Sequence, residues 1–168
     1  MTGAVLAGCL LLCGVSGSSQ DALNDRHDAG WTFTLAQTSV LDDADDPLRY
    51  GIEYRFPRTG KWQLQPLLGI TTAANGASFV YADVRRDFPL NPNWSVTASF
   101  GLGRYDPDDI PDLGHKLEFR TGAAIAWHSP SNYRVELGLF HFSNGGISHR
   151  NPGTEALVLA FGIPADRD

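Results

Sequence analysis

The chain has 168 residues, with 13 Lys and Arg against 19 Asp and Glu and a formal net charge of −6. That length holds one domain, or a leader and one domain. An acidic chain without a basic cluster excludes nucleic acid, whose phosphates take Lys and Arg to displace counterions.

Met1 to Ser19 carries no charged residue, and Val5 to Val15 is largely apolar. Small residues follow, Ser16-Gly17-Ser18-Ser19. The pattern predicts a secretory signal peptide over 1–19, cleaved between Gly17 and Gln20. Both cysteines, Cys9 and Cys13, fall inside it, so the mature chain has no disulfide framework and no thiolate metal site. Leu6-Ala7-Gly8-Cys9 looks like a lipoprotein cleavage box, but apolar Leu10 to Leu12 follows it, and a discarded leader is the better reading. No other stretch is apolar enough for a transmembrane helix, which takes about 20 residues. Residues 20–28 are polar and read as an N-terminal arm; 29–168 read as one β-domain.

From Trp31 on, segments alternate with period two, the signature of strands with one apolar face. Trp31, Phe33 and Leu35 lead. Leu48, Tyr50, Ile52, Tyr54 and Phe56 follow, opposite Arg49, Glu53 and Arg55. The third segment has Trp62, Leu64, Leu68 and Ile70. In the fourth, about Ser78 to Phe88, Phe79 and Tyr81 share a parity with Asp83, and the faces stay unassigned. The fifth sets Trp94, Val96, Ala98, Phe100 and Leu102 against Ser, Thr and Gly. The sixth sets Leu117, Phe119, Ile125 and Trp127 against Lys116, Glu118 and Arg120. The seventh sets Tyr133, Val135, Leu137 and Leu139 against Arg134 and Glu136; the eighth carries Leu157, Leu159, Phe161 and Ile163.

Eight strands of bilayer-spanning length, near 9–11 residues, predict an all-β fold. Arg58-Thr59-Gly60, Leu90 to Pro92 and Ser129-Pro130-Ser131 are tight turns. Asp42 to Pro47, Asp106 to Gly114 and Asn144 to Gly153 are longer polar loops, with Ala74-Asn75-Gly76 the short exception. Short turns at one end and long loops at the other are the arrangement of an eight-stranded antiparallel outer-membrane β-barrel. Its interior would hold the charged parity as salt bridges, and the apolar parity would meet lipid. A soluble lipocalin-like cup inverts the two faces. Periodicity does not separate them; the loop asymmetry and the leader favour the membrane.

The chemistry-bearing residues gather in one hairpin. His141 and Ser143 continue the apolar parity of segment seven, and Glu155 begins that of segment eight. Residues two apart on a strand are about 6.5–7 Å apart, and directly opposed Cβ atoms about 4.5–5.5 Å. A Ser–His–Glu relay across one hairpin is therefore geometrically reasonable. In the membrane reading all three point to the lipid side, at the outer end, where a charge costs only about 0–1 kcal/mol.

His-x-Ser-Asn-x-x-Ile followed by Asn-Pro-Gly-x-Glu, on a small barrel, resembles the outer-membrane lipid A 3-O-deacylases of the PagL type. The motif is His141, Ser143, Asn144, Asn151, Gly153 and Glu155. The resemblance implies an outer-membrane serine esterase that removes the 3-O-linked 3-hydroxyacyl chain of lipid A. It implies Ser143 as nucleophile, His141 as general base and Glu155 as the residue orienting His141. It places a loop asparagine in the oxyanion hole, Asn151 first and Asn144 second, with the Gly145-Gly146 N–H groups as further donors. The implied partners are lipopolysaccharide and outer-membrane lipids, with a homodimer suggested by the family alone. No metal or cofactor is implied. The rivals are a non-catalytic small barrel with a structural or adhesion role and the soluble lipocalin-like binder.

His149-Arg150 could meet substrate phosphates or stand as a solvated loop pair, the commoner case. The acidic run Asp106 to Asp112 lacks EF-hand spacing and reads as a solvated loop. His27, His115 and His128 show no metal-ligand spacing.

Overall fold

A computed structural model of the chain describes residues 29–41, 47–107 and 112–165. The predicted leader and N-terminal arm lie outside them. Eight strands form one closed antiparallel barrel: β1 (Gly30–Thr38), β2 (Arg49–Arg55), β3 (Gln65–Ala73), β4 (Ser78–Pro89), β5 (Trp94–Asp106), β6 (Leu117–His128), β7 (Arg134–Ser143) and β8 (Thr154–Pro164). Each strand pairs with its sequence neighbours, and β1 closes on β8 from Gly30↔Pro164 to Thr38↔Ala156. Lengths run from 7 residues in β2 to 13 in β5, a wider spread than alternation alone implies.

Parity decides the faces. Phe33, Leu35, Tyr50, Leu68, Ile70, Val80, Phe100, Leu137, Leu159 and Phe161 are exposed on the outside. Arg49, Glu53, Arg55, Glu118, Arg120, Arg134 and Glu136 are buried inside. So much exposed apolar surface suits a protein whose outer solvent is hydrocarbon. Lys116 is the exception among the charges expected inside: it lies just before β6, exposed, with its ammonium 3.8 Å from Asp106.

The interior has two layers. Toward the β1 start and the β8 end it is ionic. Arg85 donates to both oxygens of Glu53 at 2.9 Å and reaches Glu136 at 3.4 Å. Arg134 donates to Glu136 at 2.6 Å, to Asp87 at 2.6 and 3.0 Å, and to Thr97 at 2.6 Å. Arg120 pairs with Asp83, which also accepts from Ser99 at 2.6 Å. In this layer Arg85, Arg120 and Arg134 each meet a buried carboxylate, whereas Arg49, nearer the other end, donates to the Ala77 carbonyl at 3.2 Å and both carboxylate oxygens of buried Glu118 lack a hydrogen-bond partner among the described residues.

The other layer is aromatic, and it settles the fourth segment. Phe79 and Tyr81 face inward with Asp83, Arg85 and Asp87, and Phe79 stacks on Tyr81 with ring centroids 4.9 Å apart. Glycines on both neighbouring strands make the room. A Cβ on Gly69 of β3 would lie 2.5 Å from Tyr81 Cζ, and one on Gly103 of β5 would lie 2.8 Å from Phe79 Cε2. Tyr105 and Leu113 complete this cluster, so Leu113, from the β5–β6 loop, stoppers the mouth of the barrel. The Tyr81 hydroxyl donates to Glu53 at 2.6 Å and joins the two layers.

The network predicts its own weak point. Arg134→Met leaves Asp87 and Glu136 short of a shared cation, and breaking a buried pair costs about 3–5 kcal/mol. Urea unfolding of detergent-solubilised protein, followed by tryptophan fluorescence, should show that loss; a change under about 1 kcal/mol would mean the network carries little of the stability.

Candidate active site

β7 and β8 bring the hairpin residues together at the barrel end where Leu113 sits. Their ladder pairs His141 directly with Glu155, and Leu139 with Leu157 one step further in. Parity turns both pairs outward: Phe140 and Ala156, their inward neighbours, belong to the core. His141 Nδ1 lies 3.0 Å from Glu155 Oε1. A carboxylate only accepts, so Nδ1 carries the hydrogen. In the neutral ring Nε2 then keeps its lone pair. The His141 side chain is 48% exposed and that of Glu155 25%, so the pair is open to whatever lies against the outer face.

Ser143 ends β7 on the same outward face, opposite Phe119 of β6. No hydrogen bond joins its hydroxyl to His141 among the described residues. The structure thus assembles the His–Glu half of the expected relay and places Ser143 two residues away along the strand. Phe119 also packs against the loop, since a Cβ on Gly145 would lie 2.9 Å from its ring. Phe100 stacks on Phe119 with centroids 6.2 Å apart, making an aromatic flank for Ser143 that parity marked only as lipid-facing.

The loop after Ser143 is held by Asn144, which is fully buried. Its Nδ2 donates to the carbonyls of Arg150 at 2.8 Å and Leu113 at 3.2 Å, and its Oδ1 accepts from Gly146 N–H at 3.0 Å. Every polar atom of the side chain is committed to backbone. Gly146 N–H is spent in the same way. Asn151 is different. Its Oδ1 accepts the Asn144 backbone N–H at 2.9 Å, which fixes the amide's orientation and leaves Nδ2 on an exposed residue.

Gly153 backs the imidazole. Its φ of 69° is one that L side chains rarely adopt, and a Cβ there would stand 3.1 Å from His141 Cε1. Arg150 pairs with Asp112 at 2.6 Å and ties this loop to the β5–β6 loop. His149 is exposed. Of the acidic run, residues 108–111 lie outside the described residues, and Asp106 pairs with Arg104 at 2.9 Å. Among the described residues no three His, Cys, Asp or Glu are grouped to hold a metal.

A sequence profile for lipid A 3-O-deacylase (PagL) matches residues 48–164, which contain this hairpin and seven of the eight strands. The chain belongs to the PagL family. The crystal structure of the outer membrane enzyme PagL superposes with a TM-score of 0.65 at 17% identity, covering 81% of this chain and 99% of that one. Neisserial surface protein A superposes with a TM-score of 0.52 at 12% identity, over 81% and 95% of the two chains. No curated protein sequence matches significantly. At those identities the superpositions speak to the fold, that of a small outer-membrane barrel. Membership in the PagL family makes the chain a lipid A deacylase of the outer membrane and sets aside the soluble cup.

The Asn144 clasp is testable without substrate. Asn144→Ala leaves two carbonyls and one N–H without partners, a penalty of about 1–3 kcal/mol for each buried group. Limited proteolysis should then cut between residues 144 and 153 while the folded barrel keeps its heat-dependent gel mobility; a loop as resistant as the wild type's would show the clasp is dispensable.

Proposed function

We propose that this PagL-family chain is a serine esterase that hydrolyses the 3-O-linked 3-hydroxyacyl ester of lipid A from the outer leaflet. The observation that carries the reading is the outward-facing His141–Glu155 hydrogen bond, beside Ser143, on a largely apolar surface. A relay turned toward hydrocarbon serves a substrate that is itself part of the membrane.

Rotation about the side-chain torsions of Ser143 and His141 brings Oγ to Nε2, an approach that substrate-free sites commonly leave incomplete. Ser143 Oγ attacks the ester carbonyl as His141 Nε2 takes its proton, and Glu155 stabilises the imidazolium. The negative charge on the former carbonyl oxygen is met by a preorganised donor. Asn151 Nδ2 fills that role better than Asn144, whose amide is committed. Collapse returns the proton to the departing sugar 3-oxygen and leaves an acyl-Ser143 ester. Water, activated by His141, then releases the 3-hydroxy fatty acid. The acyl chain has a bed directly below: Leu139, Leu157, Ala123 and Leu137 line a shallow outer groove floored by Gly138 and Ala124. As further proposals, residues 1–19 serve as the signal peptide that exports the chain.

Mass spectrometry of lipid A from cells expressing the protein should show loss of one 3-O-linked hydroxyacyl chain. Ser143→Ala should abolish the loss, and full activity in that variant would exclude Ser143 as nucleophile. With purified protein and lipid A, Asn151→Ala should lower kcat by about 10²–10³ with little change in KM, as expected for a donor acting on the oxyanion. A KM effect alone would assign Asn151 to substrate binding.

A further inference from the structure

At the rim farthest from Ser143, positive charge stands on the outer face with no carboxylate beside it among the described residues. All four tryptophans of the chain lie there: Trp31 opens β1, Trp62 sits in the β2–β3 connection, and Trp94 and Trp127 face each other across β5 and β6. Outward aromatic girdles of this kind sit at headgroup level.

Two cations stand in this girdle. Arg86 of β4 lies between outward Val84 and Phe88 and opposite Ala98, while Arg85 and Asp87 turn inward. Its guanidinium carbon is 5.0 Å from the Phe88 ring centroid and 5.4 Å from that of Trp62. Lys61 Nζ is 5.7 Å from the same Trp62 centroid. Ring faces hold a cation without cancelling its charge. Among the described residues no Asp or Glu occupies the outer face of this rim; Asp87 is directed inward to Arg58 and Arg134. The catalytic rim differs, since Arg104, Lys116 and Arg150 all have carboxylate partners there. Two like charges around one indole, at headgroup height, call for an anion from outside the protein.

We propose that Arg86, Lys61 and Trp62 form a binding site for the phosphate of a glycerophospholipid. Its acyl chains lie along Val84 and Leu68, which are exposed on the outer face above. The assignment of this lipid to the leaflet opposite lipid A rests on the catalytic end facing outward; the phosphate site does not.

The test is native mass spectrometry of the purified full chain in a neutral detergent. It is titrated with dioleoylphosphatidylglycerol, with dioleoylglycerol, which has the same chains and no phosphate, and with inorganic phosphate as competitor. The wild type should retain one phosphatidylglycerol and no dioleoylglycerol, and inorganic phosphate should not displace it. Affinity should fall about fivefold for Arg86→Gln or Lys61→Gln and about thirtyfold for the pair. Arg104→Gln, on the other rim, should bind as the wild type does. All variants should keep wild-type lipid A deacylation and heat-dependent gel mobility. Equal retention by the double variant, equal retention of dioleoylglycerol, or an equal loss in Arg104→Gln would overturn the site. Displacement by inorganic phosphate would overturn its assignment to a lipid. Wild-type protein that holds phosphatidylglycerol and leaves lipid A intact would support this site and overturn the esterase reading alone.

Discussion

The ladder between β1 and β8 is the condition on which everything else in this molecule rests. Hydrocarbon offers no hydrogen bonds, so an open sheet edge cannot stand in it, and closure removes both edges at once. Closure also divides the chain into two solvents. Because side chains alternate along a strand, every residue belongs either to a sealed interior or to the lipid face, and a one-residue slip would exchange the two sets. The register from Gly30↔Pro164 to Thr38↔Ala156 therefore sets which charges pair inside and which rings meet lipid.

The site follows from the same division. His141 and Glu155 are opposed because β7 and β8 pair in that register, and they face lipid because Phe140 and Ala156 face the core. A relay of this type would ordinarily be buried in a cleft. The proposed one stands on the barrel's outer wall, and the His141–Glu155 pair is supported from below and from the side. Phe140 packs under the strand, with the Arg120 guanidinium 3.7 Å from its ring centroid. Asn144 fastens the following loop to Leu113, which is itself anchored in the barrel mouth. The β7–β8 loop, Leu113 and the His141–Glu155 pair are thus held together as one unit.

Much of this was legible in the residues because period-two alternation is strict in most strands. It failed where inward positions are aromatic. Phe79 and Tyr81 carry no sign of their direction, and only the glycines facing them across the ladders, Gly69 and Gly103, explain why rings fit inside. The ionic core was half visible: Glu53, Arg55, Arg120, Arg134 and Glu136 stood on clean parities, whereas Asp83, Arg85 and Asp87 were hidden in the mixed fourth segment. Lys116 shares the inward parity but precedes the first paired residue of β6, where parity has no force. At the site, spacing identified the hairpin residues, but it could not tell Asn144 from Asn151. Their difference is one of burial and bonding, a buried clasp against an exposed amide, and both follow from how the loop folds back on Leu113.

The central claim is that a nucleophile on the outer wall works on the membrane around it. The most direct measurement is the intact mass and tryptic map of the purified protein after exposure to a long-chain alkyl fluorophosphonate, which traps activated serines. The account predicts a single adduct, on Ser143, that forms far more slowly in His141→Asn. Protein that deacylates lipid A yet takes no label, or takes it on another residue, would contradict it.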